Sequence, residues 1–558
     1  MLKRRRIYTR AVALLAVAGA MVGTLTPATA QNEAERESLE AVRQTTLALI
    51  DLLVQNGTLS RANADAMLTE ARSRAAAAVA QAQQAEQPVV RVPYVPQVVR
   101  DQIRNEIREE VLARAKLERW GVPNATAEWT DRITFTGDLR VRAQSDRPGA
   151  NNPSPQQFLA ASLGGTTRAA DWAAGTSTGL PTASTQDDLD RLRLRARLGI
   201  NAKISDTVIA GLRLSTGSAT DRVSTNQTLG QNFNRYQFLL DRAFVKVEPV
   251  EWASVSAGRF ANPYFSTDLL WSDSLNFEGV AGTVQMPLNP AATWRPFATL
   301  GYFPIRQSSG AVRSRSILGA QLGAQWEPSD RTRVKFGLSQ YRFDNFAGRI
   351  DPAYDAITGP GRGYGQYQYE AGLRQRGNTL FLTNNALELA SGLTPDRALW
   401  GLASQFRPLA LTAAVEFAHF APHFIGLSAE VVRNTAFDRQ EILARTGVNV
   451  SDARAYGFGL RGTIGAQKVQ YAGDWQLSLG YRWLGSDAVP DAFVDSDLGG
   501  GGTNVRGVMA GVAYGVARDT QLGLRVLSGR TISSPTVQPG LHDKSSVFSL
   551  QVDLNVSF

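Results

Sequence analysis

Four arginines, Arg191, Arg193, Arg195 and Arg197, alternate with Leu192, Leu194, Ala196 and Leu198. In an extended chain this period of two places every guanidinium on one face and the apolar side chains on the other. Arg140 and Arg142 beside Leu139 and Val141 repeat the arrangement, as does Arg213 between Leu212 and Leu214. If the three segments are neighbours, the seven arginines form a basic ladder along one wall. Its chemistry is electrostatic: an enclosed basic wall concentrates phosphate or carboxylate solutes. The alternative is a compensated wall, in which acidic residues from loops or facing strands cancel the charge. From Ile133 onward the chain holds 41 basic and 35 acidic residues, a surplus too small to choose between the two.

A second set lies in the stretch from Asp344 to Arg397: Arg349, Arg362, Arg374 and Arg376, with Tyr354, Tyr364, Tyr367 and Tyr369 among several glycines. So long a connection is functional or disordered. Folded inward, it would narrow a passage and set Tyr and Arg at a constriction suited to sugars or aromatic acids; folded outward, it is a surface loop. Covalent and metal chemistry find little support. Cysteine is absent, and the only histidines are His419, His423 and His542. His419 and His423 span a Pro turn, a poor zinc site, and no Ser motif accompanies them. Asp491, Asp495 and Asp497 before Gly499–Gly502 do not match a calcium loop and are expected to be solvated. No catalytic residue, metal or cofactor is expected, and the chain is not expected to be an enzyme.

The elements that must position these residues are marked at both ends. Phe548, Leu550, Val552, Leu554, Val556 and Phe558 alternate with Ser549, Gln551, Asp553, Asn555 and Ser557. This is an amphipathic strand ending on an aromatic residue, similar to the assembly signal of bacterial outer-membrane proteins and the feature their barrel assembly machinery would read. At the other end, Lys3, Arg4, Arg5, Arg6 and Arg10 precede an apolar run, Ala11–Val22, and the small residues Ala28-Thr-Ala30. Residues 1–30 therefore read as a secretory signal peptide. Five of the 59 basic residues lie there, which leaves 54 against 50 acidic ones, a net of +4 in place of +9. The high pI thus gives no support to a nucleic-acid partner.

Residues 31–130 read as a periplasmic helical region. Leu39, Val42, Thr46, Leu49 and Leu53 make a short heptad seam, and Pro88, Pro93 and Pro96 a stiff linker. A small helical domain and a coiled coil both fit. From 131 to 558 the period is two, and tight turns such as Glu327-Pro-Ser-Asp330 and Ala517-Arg-Asp-Thr520 alternate with long Gly/Asn/Asp/Ser-rich connections. Short turns on one side and long loops on the other describe an all-β, antiparallel transmembrane barrel. Dividing 398–434 in three gives seventeen strands, whereas single-chain bacterial barrels are even-numbered. Reading Trp400 to Phe420 as one long strand that turns at Ala421-Pro422 gives sixteen, with eighteen as the alternative. Trp252, Phe260, Trp294, Phe297, Tyr302, Phe303, Trp326, Tyr341, Trp475, Tyr481 and Trp483 are expected in interfacial girdles. Four arginines facing lipid would cost about 2–4 kcal/mol each, so the ladder must face the lumen.

The order of segments, with Ile133-Thr-Phe-Thr-Gly-Asp-Leu-Arg140, Arg191–Arg197, Ala257-Gly-Arg-Phe260 and Leu427–Asn434, resembles the bacterial "putative porin" family of outer-membrane proteins. The resemblance implies passive diffusion of small hydrophilic solutes or ions through a barrel set in outer-membrane lipid, and a homotrimer by analogy. It supplies no catalytic residues. The rival reading is a structural outer-membrane anchor whose helical region contacts the cell wall.

Overall fold

The computed structural model describes residues 132–152, 169–170, 186–285, 293–533 (without 356, 371 and 394–396) and 545–558, besides Ala66, Thr69 and Ser73. The expected signal peptide lies outside the described residues. So does the helical region, apart from those last three residues, each helical and exposed. No helix among the described residues is long and apolar enough to cross a membrane.

Sixteen antiparallel strands close into a barrel. They are β1 (Ile133–Pro148), β2 (Leu189–Lys203), β3 (Val208–Ser215), β4 (Leu239–Val250), β5 (Ala253–Ala261), β6 (Asn276–Gln285), β7 (Trp294–Arg306) and β8 (Arg315–Ser329). There follow β9 (Thr332–Asp344), β10 (Pro408–Phe420), β11 (His423–Asn434), β12 (Tyr456–Gly465), β13 (Trp475–Leu484), β14 (Val505–Ala517), β15 (Thr520–Thr531) and β16 (Ser546–Ser557). Each pairs with its sequence neighbours, and β1 also pairs with β16, so the sheet has no free edge. Closure satisfies every strand's backbone groups without water, the condition for crossing lipid. A two-residue extra strand, Gln227–Thr228, adds to the upper part of β2 beyond the short β3.

The seam closes beside one glycine. Gly137 N–H donates to Phe558 O (2.8 Å) and Phe558 N–H donates back to Gly137 O (3.0 Å). A Cβ on Gly137 would lie 2.3 Å from the Phe558 ring, so only glycine lets the ring lie across β1.

On the outer face, the register aligns Leu322, Leu338, Leu411, Val431, Phe458 and Trp483 across β8–β13. Leu322 is 68% exposed and Leu338 50%. So continuous an apolar belt belongs in hydrocarbon. Trp294 stacks on Trp326 (5.3 Å) at the short-turn end, and Phe458 on Trp483 (6.1 Å) toward the other.

Three expectations need correction. The long strand from Trp400 does not form. Trp400–Leu402 is buried along its whole length and joins Leu380–Leu382 and Ala169–Ala170 in a separate three-stranded sheet. A lipid-facing strand needs one exposed apolar face, which these residues lack, and β10 begins only at Pro408. The count of sixteen stands, because the lost piece belonged to a connection. Second, Phe260, Phe297, Phe303 and Tyr341 are not girdle residues: all four are buried. They occupy the inward parity of β5, β7 and β9, where loops folded into the barrel cover them. Third, Asp491, Asp495 and Asp497 are not simply solvated; they engage partners inside the barrel, described below.

The barrel is filled asymmetrically. Phe260, Phe277, Phe303, Ile317, Tyr341 and Phe343 from the wall form one hydrophobic core with residues of three long-loop connections. Loop 262–275 contributes Tyr264, Leu269, Leu270 and Trp271; loop 345–407 contributes Phe346, Tyr369, Trp400 and Leu402; loop 485–504 contributes Val489, Phe493 and Val494.

Candidate functional site

The polar half of the interior begins on β1 and β2. Their register sets Asp138 opposite Arg197, Arg140 opposite Arg195, Arg142 opposite Arg193 and Gln144 opposite Arg191. Leu139, Val141, Leu192, Leu198 and Leu212 are exposed on the outer face, which leaves the seven arginines of the ladder on the inner one. Cross-strand neighbours of like charge destabilise a sheet unless something neutralises them. Carboxylates do so for five of the seven. Asp138 takes Arg195 (2.7 Å) and Arg197 (2.6 Å), and Asp241 takes Arg213 (2.6 Å). Asp146 pairs with Arg191. Arg142, 1% exposed, donates twice to Asp553 on β16 (2.6 and 2.8 Å) and lies 3.6 Å from Asp497. Arg140 and Arg193 have only amide partners: Arg140 donates to Asn226, and Arg193 to Gln144 (3.1 Å). Neither forms an ion pair among the described residues.

Loop 262–275 faces this wall. Its anchoring is local: Gln321 on β8 accepts from Phe265 N–H (2.8 Å) and donates to Phe265 O (2.7 Å) and to Ser339. Tyr264 donates to Gly319 O (3.0 Å), and Thr267 donates to Glu430 (2.6 Å). Trp271, 2% exposed, packs edge-on to Phe277 and Tyr341 at about 5 Å. The loop therefore lies against β8–β11 and presents Asp268, Ser272, Asp273 and Ser274 to a cavity of about 420 Å³. Asp268 binds Arg461 (2.5 Å) and Arg482 (3.2 Å). Burial alone would raise its carboxyl, but Arg482 and Arg461 outweigh that and hold it below the ordinary value.

Five arginines (140, 142, 195, 461 and 525) and five aspartates (268, 273, 495, 497 and 553) line the cavity, among Ser, Thr, Asn and Gln side chains. Such a lining gives a transverse field with little net charge.

Loop 345–407 reaches across the long-loop end. Glu370 is clamped by Arg306 (2.7 Å) and Arg315 (2.6 Å) of β7 and β8. Arg222 donates to Gly372 O (2.7 Å) and Leu373 O (3.1 Å). Tyr369 donates to Asp491 (2.7 Å), Asn378 donates to Val489 O (2.9 Å), and Thr379 donates to Asp487 (2.6 Å). Burial raises the Asp491 carboxyl to about 6, despite the Tyr369 hydrogen bond and nearby Arg374. The residues singled out in this loop do not share one place. Arg349 and Arg362 are exposed, Arg374 is buried, and Arg376 donates to Gly501 O (3.1 Å). Tyr364 donates to Glu388, and Tyr367 lies at the rim beside Phe346. None of the six lines the 420 Å³ cavity.

The inward course of loop 262–275, a segment legible in the sequence only as a long connection, was missed, although Tyr264, Phe265, Leu269, Leu270 and Trp271 were a usable signal. A segment so apolar between two strands must be covered by something. Arg461, Arg482 and Arg525 were missed as well, because their strands lack the alternating arginines that mark β2. Loop 485–504 was legible only as acidic. In the structure Asp495 meets Arg482 (3.3 Å), and Asp497 meets Arg525 (2.8 Å).

A comparison in sequence with curated proteins finds no match. Among solved structures, the chain is similar to OprB of Pseudomonas putida in a high-pH structure (13% identity, 78% of this chain and 97% of that one, TM-score 0.42). It is also similar to the outer-membrane channel DcaP of Acinetobacter baumannii (11%, 76% and 97%, TM-score 0.38). A third is an anion-selective porin from Comamonas acidovorans (10%, 76% and 99%, TM-score 0.37). The family model described as "Putative porin" matches residues 43–558. That match covers all sixteen strands of the closed barrel, and the chain belongs to this putative-porin family of outer-membrane proteins.

Proposed function

We propose that the barrel is a weakly selective diffusion pore for small hydrophilic solutes and ions, with a small preference for anions. One observation carries the reading: the cavity between β1–β2 and loop 262–275 is lined by equal numbers of arginines and aspartates. Opposed charges across a narrow passage orient polar solutes and reject apolar ones without strong ion selectivity. The anion preference rests on Arg140 and Arg193, the two ladder positions without a carboxylate partner among the described residues. Planar-bilayer conductance across a salt gradient tests it. Large, steady steps are expected, with a small reversal potential of the sign for anions. Replacing both residues, Arg140→Gln and Arg193→Gln, moves the potential toward cations. A cation-selective wild type, or no shift in the double variant, removes the anion preference; absence of conducting steps removes the pore.

A further inference from the structure

Six arginines line a second cavity of about 210 Å³ at the long-loop end: Arg306, Arg313, Arg342, Arg349, Arg407 and Arg445. It lies where the tops of β7–β10 meet loop 345–407, well removed from the lumen ladder. Only one acidic residue, Asp344, is among its lining residues. Three of the six guanidiniums are already engaged. Arg306 is held by Glu370 (2.7 Å) and by the carbonyls of Gln366 and Arg313. Arg342 binds Asp344 (2.7 Å), and Arg445 binds Glu441 and Ala403 O.

Arg313, Arg349 and Arg407 are exposed, and none forms an ion pair among the described residues. Three uncompensated cations converging on one small pocket repel one another, and an anion of matching charge relieves that repulsion. The height of the pocket narrows the ligand class. Arg342 lies on the same strand face as the exposed Leu338, and Arg407 immediately precedes β10, which carries the exposed Leu411. The pocket thus sits at the rim, just beyond the apolar belt, where the strand tops meet the inner loops. Arg433, exposed over the Tyr456 ring (5.4 Å), extends the same basic rim onto β11. A guanidinium offers phosphate two parallel donors, and phosphate carries more charge per group than a carboxylate.

We propose that this rim pocket is a binding site for a group bearing two or more phosphates, presented at the outer face of the membrane. Two sources carry that chemistry, a phosphorylated headgroup of the outer leaflet and a soluble polyphosphate, and the test separates them. The full-length folded protein in mild detergent is titrated with tripolyphosphate. In a parallel arm it is exchanged into nanodiscs containing a bis-phosphorylated lipid or the same lipid dephosphorylated, and retained lipid is read by native mass spectrometry. The variants are Arg313→Gln with Arg349→Gln and Arg407→Gln, and, as a charge control, Arg518→Gln in the β14–β15 turn. Wild type and the control are expected to bind, and the triple variant about a hundredfold more weakly, with bilayer conductance unchanged as evidence of folding.

Retention of the bis-phosphorylated lipid alone assigns the headgroup. Binding of tripolyphosphate alone assigns a soluble ligand, and mutual displacement places both on this pocket. Binding of neither by wild type overturns the proposal, as does equal binding by the triple variant or equal retention of the dephosphorylated lipid.

Discussion

Arg142 shows how a cation is kept inside this barrel. Its guanidinium is almost wholly buried and survives there because Asp553 meets it with two hydrogen bonds, while Asp497 stands farther off. Removing one partner of a buried pair costs more than the pair contributes, because the other charge is left without solvent. Asp553→Asn is expected to destabilise the barrel by about 3 kcal/mol, read as a lower midpoint for loss of the folded form in urea. The double variant Arg142→Met with Asp553→Leu, which removes both charges together, should cost less in the same assay. The spacing of the arginines was plain in the sequence because alternation needs only one strand. Their neutralisation was not, because Asp138 and Asp241 act from neighbouring strands in a register the sequence does not state, and Asp553 reaches Arg142 only through closure of the barrel. Gly137 was invisible for the same reason: nothing near it in sequence says that the Phe558 ring lies over it.

Among the elements, loop 262–275 fixes the width of the passage, and Trp271 fixes the loop. Truncation to Ala opens a cavity in the core, at a cost of about 3–5 kcal/mol. Trp271→Ala is expected to leave the barrel folded, raise the single-channel conductance and make the loop a protease target. The junction of loops 345–407 and 485–504 should respond to pH. Asp491 titrates above its ordinary value, so its ionisation weakens the packed form, and stability falls as pH rises from about 4 to about 6. Burial would raise Asp497 as well, but Arg525 and Arg142 hold it below its ordinary value, so its contribution is lost only as pH falls below about 4. Protection of these loops from an acid-active protease is therefore expected to peak near pH 4, where the two transitions meet. Asp491→Asn should flatten the decline above it. Loop lengths were legible in the sequence and loop directions were not. An apolar segment such as Leu269-Leu-Trp271 declares that it will be covered, but which wall covers it is set by the inward parity of β6 and β9.

At the scale of the molecule, the outer belt decides where the protein can live. Leu338→Arg places a cation within it and is expected to cost about 2–4 kcal/mol, seen as loss of the folded form in lipid. The same change on a water-facing surface would be close to neutral, so the size of the effect reports the solvent. The architecture was readable early because both faces of each strand and both sets of connections obey one rule. The error at Trp400–Leu402 shows the limit of that rule: a run apolar on both faces fits an inner sheet as well as a membrane strand, and only its full burial separates them.

The asymmetric filling of the interior has an electrical consequence. Loop 345–407 is bound to β7, β8, the β3–β4 connection and loop 485–504 at once, and loop 262–275 is bound to β8 and β11 and packs its Trp271 on β9. Walls tied at so many points have few alternative positions. A current carried past them should therefore be quiet, with little flicker within the open level even at high applied voltage. Cutting the Glu370 clamp by Glu370→Gln should appear first as added noise in the trace, before any change in its mean.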